Sequence, residues 1–166
     1  AQQLALLDSY EGLPIAFEAL TAAVDRLFQA ENTPPSWLAA GLRVAEIGVR
    51  TRKPGSLAWA KTVLDRVDRG AAGWEATASD LLNLVVSAAE HDPAFRATAE
   101  ALLPELESIY EKTRDFYLVL PLIKCYKLLG RHAESTAAWQ ALVKSDSNHP
   151  EVARLMASDL YTPASH

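Results

Sequence analysis

Apolar residues recur at three- and four-residue spacing along almost the whole chain, and alternating β-branched runs are nearly absent. That pattern predicts helix throughout. A first helix spans Gln2 to Tyr10. A second runs from Pro14, suited to a first turn, to Glu31, with Ile15, Phe17, Leu20, Val24, Leu27 and Phe28 as its apolar surface. Asn32-Thr33-Pro34-Pro35 breaks it. Ser36 caps a third helix ending near Thr51, and Ser56 caps a fourth over Leu57 to Arg69. The fifth covers Trp74 to Glu90, and Asp92-Pro93 opens a sixth that reaches Lys112. Asp115 to Leu129 is the seventh, His132 to Lys144 the eighth, and Pro150 to Tyr161 the last.

Pro104 and Pro121 fall inside helical patterns, where each removes a hydrogen bond and crowds the preceding turn at a cost of ~3 kcal/mol unless accommodated. Kinks rather than breaks are expected there. The run Phe116 to Ile123 has a second reading as one buried strand, although no strand partner exists elsewhere in the sequence.

Length narrows the architecture: 166 residues suffice for one compact domain or a short stack of repeats. Hydrophobic residues at 49% and charged residues at 22% fit a folded chain, which argues against global disorder. No apolar run approaches the ~20 residues that cross a bilayer, so no membrane insertion is expected. The net charge of -5 lacks the basic footprint of a nucleic-acid binder, although a local basic patch stays possible. Cys125 has no partner for an internal disulfide and reads as a small buried hydrophobe, with a reactive thiol as the alternative. A chain without disulfides fits the cytoplasm and leaves other compartments open. The start at Ala1, directly in helical pattern, suggests a fragment of a longer polypeptide.

Antiparallel helix pairs joined by short turns raise the question of a repeat. From Tyr117 to Ser147, Leu122, Tyr126, Gly130, Ser135, Trp139 and Leu142 follow in the order large, aromatic, glycine turn, small, aromatic, large. This segment resembles a tetratricopeptide repeat, a helix-turn-helix unit of about 34 residues. Ile123 stands where that family usually has its first glycine, and Leu142 replaces its last alanine. The frame slides back to Ile47-Gly48, Gly55, Ala60, Leu64 and Val67, with Thr51 in place of the aromatic. Val86, Ser87, Ala99, Leu103 and Leu106 make a weaker middle copy. The small residue then falls at Ala60, Ala99 and Ser135, spacings of 39 and 36 residues, and a further copy ends near Ala23.

The resemblance implies an all-α fold: antiparallel helix pairs stacked as a short right-handed α-solenoid in a single domain over 1–166. Its units would be 2–35, 36–73, 74–112 and 115–147, with an end helix over 149–161. Small residues let paired helices approach, aromatics fill the gaps between hairpins, and one hairpin cannot bury its apolar face alone.

In such stacks the first helix of each pair lines a concave groove for a peptide. Carried over, the groove set is Leu42, Ala45, Val49 and Arg52; then Leu81, Leu84, Ala88 and His91; then Tyr117, Leu120, Lys124 and Lys127. Its floor is apolar and one end is basic, which implies a protein or peptide partner with hydrophobic anchors and an acidic residue or C-terminal carboxylate. Chaperone-binding members hold that carboxylate with Lys and Asn; here only Lys124 and Lys127 are available, and ordinary solvated charge is the competing reading.

No catalytic motif is found: no Gly-x-Ser-x-Gly elbow, no phosphate-binding glycine loop and no dinucleotide fingerprint. His91, His132, His149 and His166 are scattered singly, so no zinc site and no cofactor are expected. Glu100, Glu105, Glu107 and Glu111 read as solvated helix surface. Trp59 and Trp139 read as interhelical packing, while Trp37 and Trp74 are either core residues or exposed interface anchors.

The leading expectation is therefore a non-enzymatic module for protein or peptide binding. One alternative is a regulatory or positioning domain attached to an enzyme, such as a transferase, or to a transcription regulator. Another is nucleic-acid binding centred on Arg43, Arg50, Arg52 and Lys53, joined by Arg66, Arg69 or Lys124. A third is self-association through end helices bearing Leu4, Leu6 and Leu7 or Leu155 and Met156.

Overall fold

The computed structural model describes residues 17–28, 35–146 and 148–157. These form eight helices and no strand: α1 Phe17–Phe28, α2 Pro35–Arg50, α3 Ser56–Leu64, α4 Trp74–Ala89, α5 Ala94–Thr113, α6 Phe116–Leu128, α7 His132–Asp146 and α8 Pro150–Ala157. The fold is all-α, and the strand reading of Phe116 to Ile123 is replaced by helix. Pro104 and Pro121 sit inside helices that run through them without a break. The predicted helix Gln2 to Tyr10, with Leu4, Leu6 and Leu7, lies outside the described residues.

Local chemistry sets most boundaries. Asp115 caps α6, its side chain accepting from the Tyr117 N–H. Asp92 accepts from the Ala94 N–H at 2.9 Å, which makes the Asp92-Pro93 start of α5 work as predicted. Two starts differ. α2 begins at Pro35 rather than after a Ser36 cap, because a first-turn proline sacrifices no intrahelical hydrogen bond. Ser56 does not cap α3; Gly55 occupies that position at φ 76°, and Ser56 is tucked inside the helix. α3 also stops at Leu64, five residues before Arg69, because the chain tightens into three-residue hydrogen bonds from Arg66 to Val63 and from Val67 to Leu64.

α2 and α6 end alike. Lys53 N–H donates to Gly48 O at 2.9 Å and Arg52 N–H to Val49 O at 3.0 Å. Arg131 N–H donates to Tyr126 O at 2.8 Å and Gly130 N–H to Lys127 O at 3.1 Å. Both are Schellman closures with a left-handed residue, Arg52 at φ 53° and Gly130 at φ 76°. Nothing crowds a Cβ at Gly130, so Gly130→Ala is expected to cost about 1 kcal/mol through backbone conformation alone, read as a lowered denaturation midpoint.

The main core is built around α4, which packs against α2, α3, α5 and α6. Leu42, Leu82, Leu84, Leu102 and Leu106 are enclosed there completely. Small residues permit the close approaches: Ala60, Ala99 and Ser135 are all buried. A Cβ at Gly48 would run into the Phe17 ring and lie 3.1 Å from the Ser56 Cβ, so this glycine admits both α1 and α3 onto α2. A second cluster, Val119, Ile123, Leu142 and Val152, joins α6, α7 and α8. His149 helps dock α8: its ring stacks on Phe116 at 3.9 Å and its Nδ1 accepts from the Glu151 N–H.

Polar bonds fix how helix ends meet. Trp74 Nε1 donates to Glu105 at 2.9 Å, joining the start of α4 to the middle of α5. Ser79 Oγ donates to Tyr117 O at 2.6 Å, joining α4 to the start of α6. Ser135 Oγ donates to Ile123 O at 3.3 Å across the α6–α7 pair.

Candidate functional site

A cleft of about 540 Å³ opens where α2 and α4 end and α3 begins. Its lining is apolar at Val49, Leu57 and Ala58 and polar or charged at Arg52, Lys53, Glu90 and His91. The left-handed closure at Arg52 reverses the chain, and Gly55 at φ 76° then aims the first turn of α3 at the same space. Gly55 supplies no side-chain acceptor to that turn. Ser56 also lines the cleft; it is 5% exposed, and its hydroxyl has no hydrogen-bond partner among the described residues.

Several arginines of the surface are ion-paired. Arg43 pairs with Glu46, Arg66 with Asp25, Arg69 with Glu105, and Arg131 with Glu107 and Glu134. Among the described residues, the side chains of Arg52, Lys53 and His91 have no such partner. Two unpaired cations and an imidazole therefore face one opening, against the single carboxylate of Glu90.

The predicted groove set divides sharply. Leu42, Ala45, Val49, Leu81, Leu84 and Ala88 lie in the core at 0–1% exposure, so they hold helices together and present almost no surface to a ligand. Leu120 is half-buried against the second cluster. Tyr117, Lys124 and Lys127 are exposed on α6, Tyr117 at 69%. Only Arg52, His91 and the edge of Val49 come together, in the cleft. Lys53 belongs to the basic stretch visible in the sequence, whereas Ser56 stands where a cap is expected and Glu90 carries no sequence signal.

Other candidates resolve into structure. Trp74 is buried rather than an exposed anchor, and Trp37, Trp59 and Trp139 are partly buried against the cores. Glu105 and Glu107 are more than solvated surface: Glu107 accepts from the Tyr126 hydroxyl at 2.7 Å and meets Arg131, tying α5 to α6. Burial and that hydrogen bond push the Tyr126 hydroxyl well above its ordinary pKa. Leu155 is buried, and Met156 is 54% exposed on α8. Among the described residues no three His, Cys, Asp or Glu side chains gather closely enough to hold a metal ion, and no helix is long and apolar enough to cross a membrane.

Cys125 is wholly enclosed, and burial pushes its thiol up to about 11, with Arg131 opposing and Glu107 adding to the shift. The thiolate fraction near pH 8 is then about 100-fold below that of an ordinary cysteine. Disulfide-exchange labelling is expected to stay slow in the native protein and become fast in urea.

No family model matches the chain, and no curated protein or solved structure shows significant similarity to it.

Proposed function

We propose that this chain is a non-enzymatic helical-repeat module that binds a peptide segment of another protein at the basic cleft. The observation that carries the reading is the concentration of unpaired cations in a pocket-sized opening with apolar lining. The cleft takes the place of the longer groove expected from the sequence, whose apolar floor is core.

Several features support a tetratricopeptide-like stack with units over 36–73, 74–112 and 115–147. The small residues at Ala60, Ala99 and Ser135 are all buried, each in the second helix of a pair. Gly55 and Gly130 share φ 76° and precede Ala60 and Ser135 by five residues. Val49 and Glu90 line one cleft, which puts the C-terminal ends of α2 and α4 together. The Ser79–Tyr117 bond likewise draws together the N-terminal halves of α4 and α6, which supports α2, α4 and α6 running alike. The Trp74–Glu105 and Ser135–Ile123 bonds, each between paired helices, support an antiparallel return of α5 and α7. Nucleic-acid binding has less support, because Arg43, Arg66 and Arg69 are already matched by carboxylates.

The test is affinity capture from native extract by the wild type and by an Arg52→Glu, Lys53→Glu variant with an unchanged circular dichroism spectrum. Partners kept by the wild type and lost by the variant are expected. An identical partner set on both proteins would place binding elsewhere.

A further inference from the structure

The cleft has a chemistry specific enough to name the group it receives. We infer that it holds an oxyanion carried on the partner peptide, a carboxylate or a phosphate monoester, seated at the start of α3 and flanked by an aliphatic residue. The inference rests on the peptide-binding reading above.

Two independent features converge on the same point. The first is electrostatic: α3 is a nine-residue helix preceded by glycine with no side-chain acceptor, so apart from the Ser56 N–H, which donates to Lys53 O at 3.2 Å, its first-turn N–H groups lack the capping oxygen that Ser, Asp or Asn would bring. Such a terminus favours negative charge. The second is the Ser56 side chain, which as a residue is 5% exposed, lines the cleft and has no hydrogen-bond partner among the described residues, its hydroxyl oxygen keeping some accessible surface. An oxyanion placed here would accept from that hydroxyl. Arg52 and Lys53 then supply charge-assisted contacts in the cleft.

Arg52 holds a left-handed φ of 53° at the position where the matching closure of α6 uses Gly130. Arg114 closes α5 at φ 52° in the same way, so the conformation is not peculiar to the cleft; what Arg52 contributes is a cation among the cleft's lining residues. A peptide fits better than a nucleic acid, because Val49, Leu57 and Ala58 offer aliphatic lining and Arg43 and Arg66 are already paired with carboxylates.

The experiment uses fluorescein-labelled nonapeptide pools, randomised except for a central Glu, Gln, phosphoserine or Ser, with fluorescence anisotropy as the readout. The Glu or the phosphoserine pool is expected to bind at least tenfold tighter than its neutral counterpart, and the stronger of the two identifies the source of the oxyanion. An Arg52→Gln, Lys53→Gln variant should abolish that preference, and Ser56→Ala should weaken it several-fold, each with an unchanged thermal melt. Equal binding of charged and neutral pools would overturn the oxyanion while leaving peptide recognition standing. No binding of any pool to the wild type would overturn both. A charge preference that survives in the double variant would remove the cleft as its site. Tighter binding of a single-stranded 12-mer oligonucleotide than of every pool would overturn the peptide assignment.

Discussion

Leu84→Ala is expected to lower the unfolding free energy by about 2–5 kcal/mol, the range for removing a large aliphatic side chain from a closed core. Leu84 has no exposed surface and lies on the helix that packs against α2, α3, α5 and α6. The cavity left behind would be walled by helices held from several sides, so collapse would recover little of the loss. Urea denaturation measures the effect. The experiment also separates two roles for this side chain: a groove residue would lose ligand binding with little change in stability, whereas a core residue does the reverse. A change below about 0.5 kcal/mol would match a surface position and contradict the core assignment.

The second large effect runs in the opposite direction of volume. Ala60→Leu and Ala99→Leu are each expected to destabilise by about 1–3 kcal/mol, because both alanines are fully enclosed in the core. A leucine there must push the helices apart or leave its rotamer well, and close-packed interiors give little room for either. Ala58→Leu is the control. Ala58 belongs to the same helix but is exposed, so its replacement should leave the melting temperature almost unchanged. Equal effects at Ala58 and Ala60 would show that helix propensity, not interhelical distance, governs this segment.

Much of the helical order was legible because punctuation residues marked it. Asp92-Pro93, Asp115 and Gly130 each impose a local hydrogen bond or dihedral that needs no tertiary help. The three small residues at Ala60, Ala99 and Ser135 were likewise visible as a spaced pattern, and all are buried. The exposed face of the first helices was not legible. In α4, Leu81, Leu82, Leu84, Val85, Val86 and Ala88 are all buried, which wraps the apolar surface around the helix. A helix covered on several sides has no stripe to mark the direction of a groove. The partners of Glu105 and Glu107 were hidden for another reason: Trp74 lies 31 residues from one and Tyr126 lies 19 from the other. Ser56 departs from its expected role: serine before a helical run signals a cap, while the turn at Gly55 and the close approach to Gly48 draw it inward.

The most direct test of the whole account is one substitution with two readouts. Arg52→Gly places the residue suited to a left-handed closure at φ 53° and removes a cation from the cleft. Denaturation of the variant is expected to show stability unchanged or raised, by up to about 1 kcal/mol. Anisotropy with the tightest-binding peptide pool is expected to show a several-fold loss of affinity. That combination would mean Arg52 serves recognition at the expense of the backbone. A variant that is less stable yet binds with full affinity would contradict the account, making Arg52 a structural residue and leaving the cleft without a role in recognition.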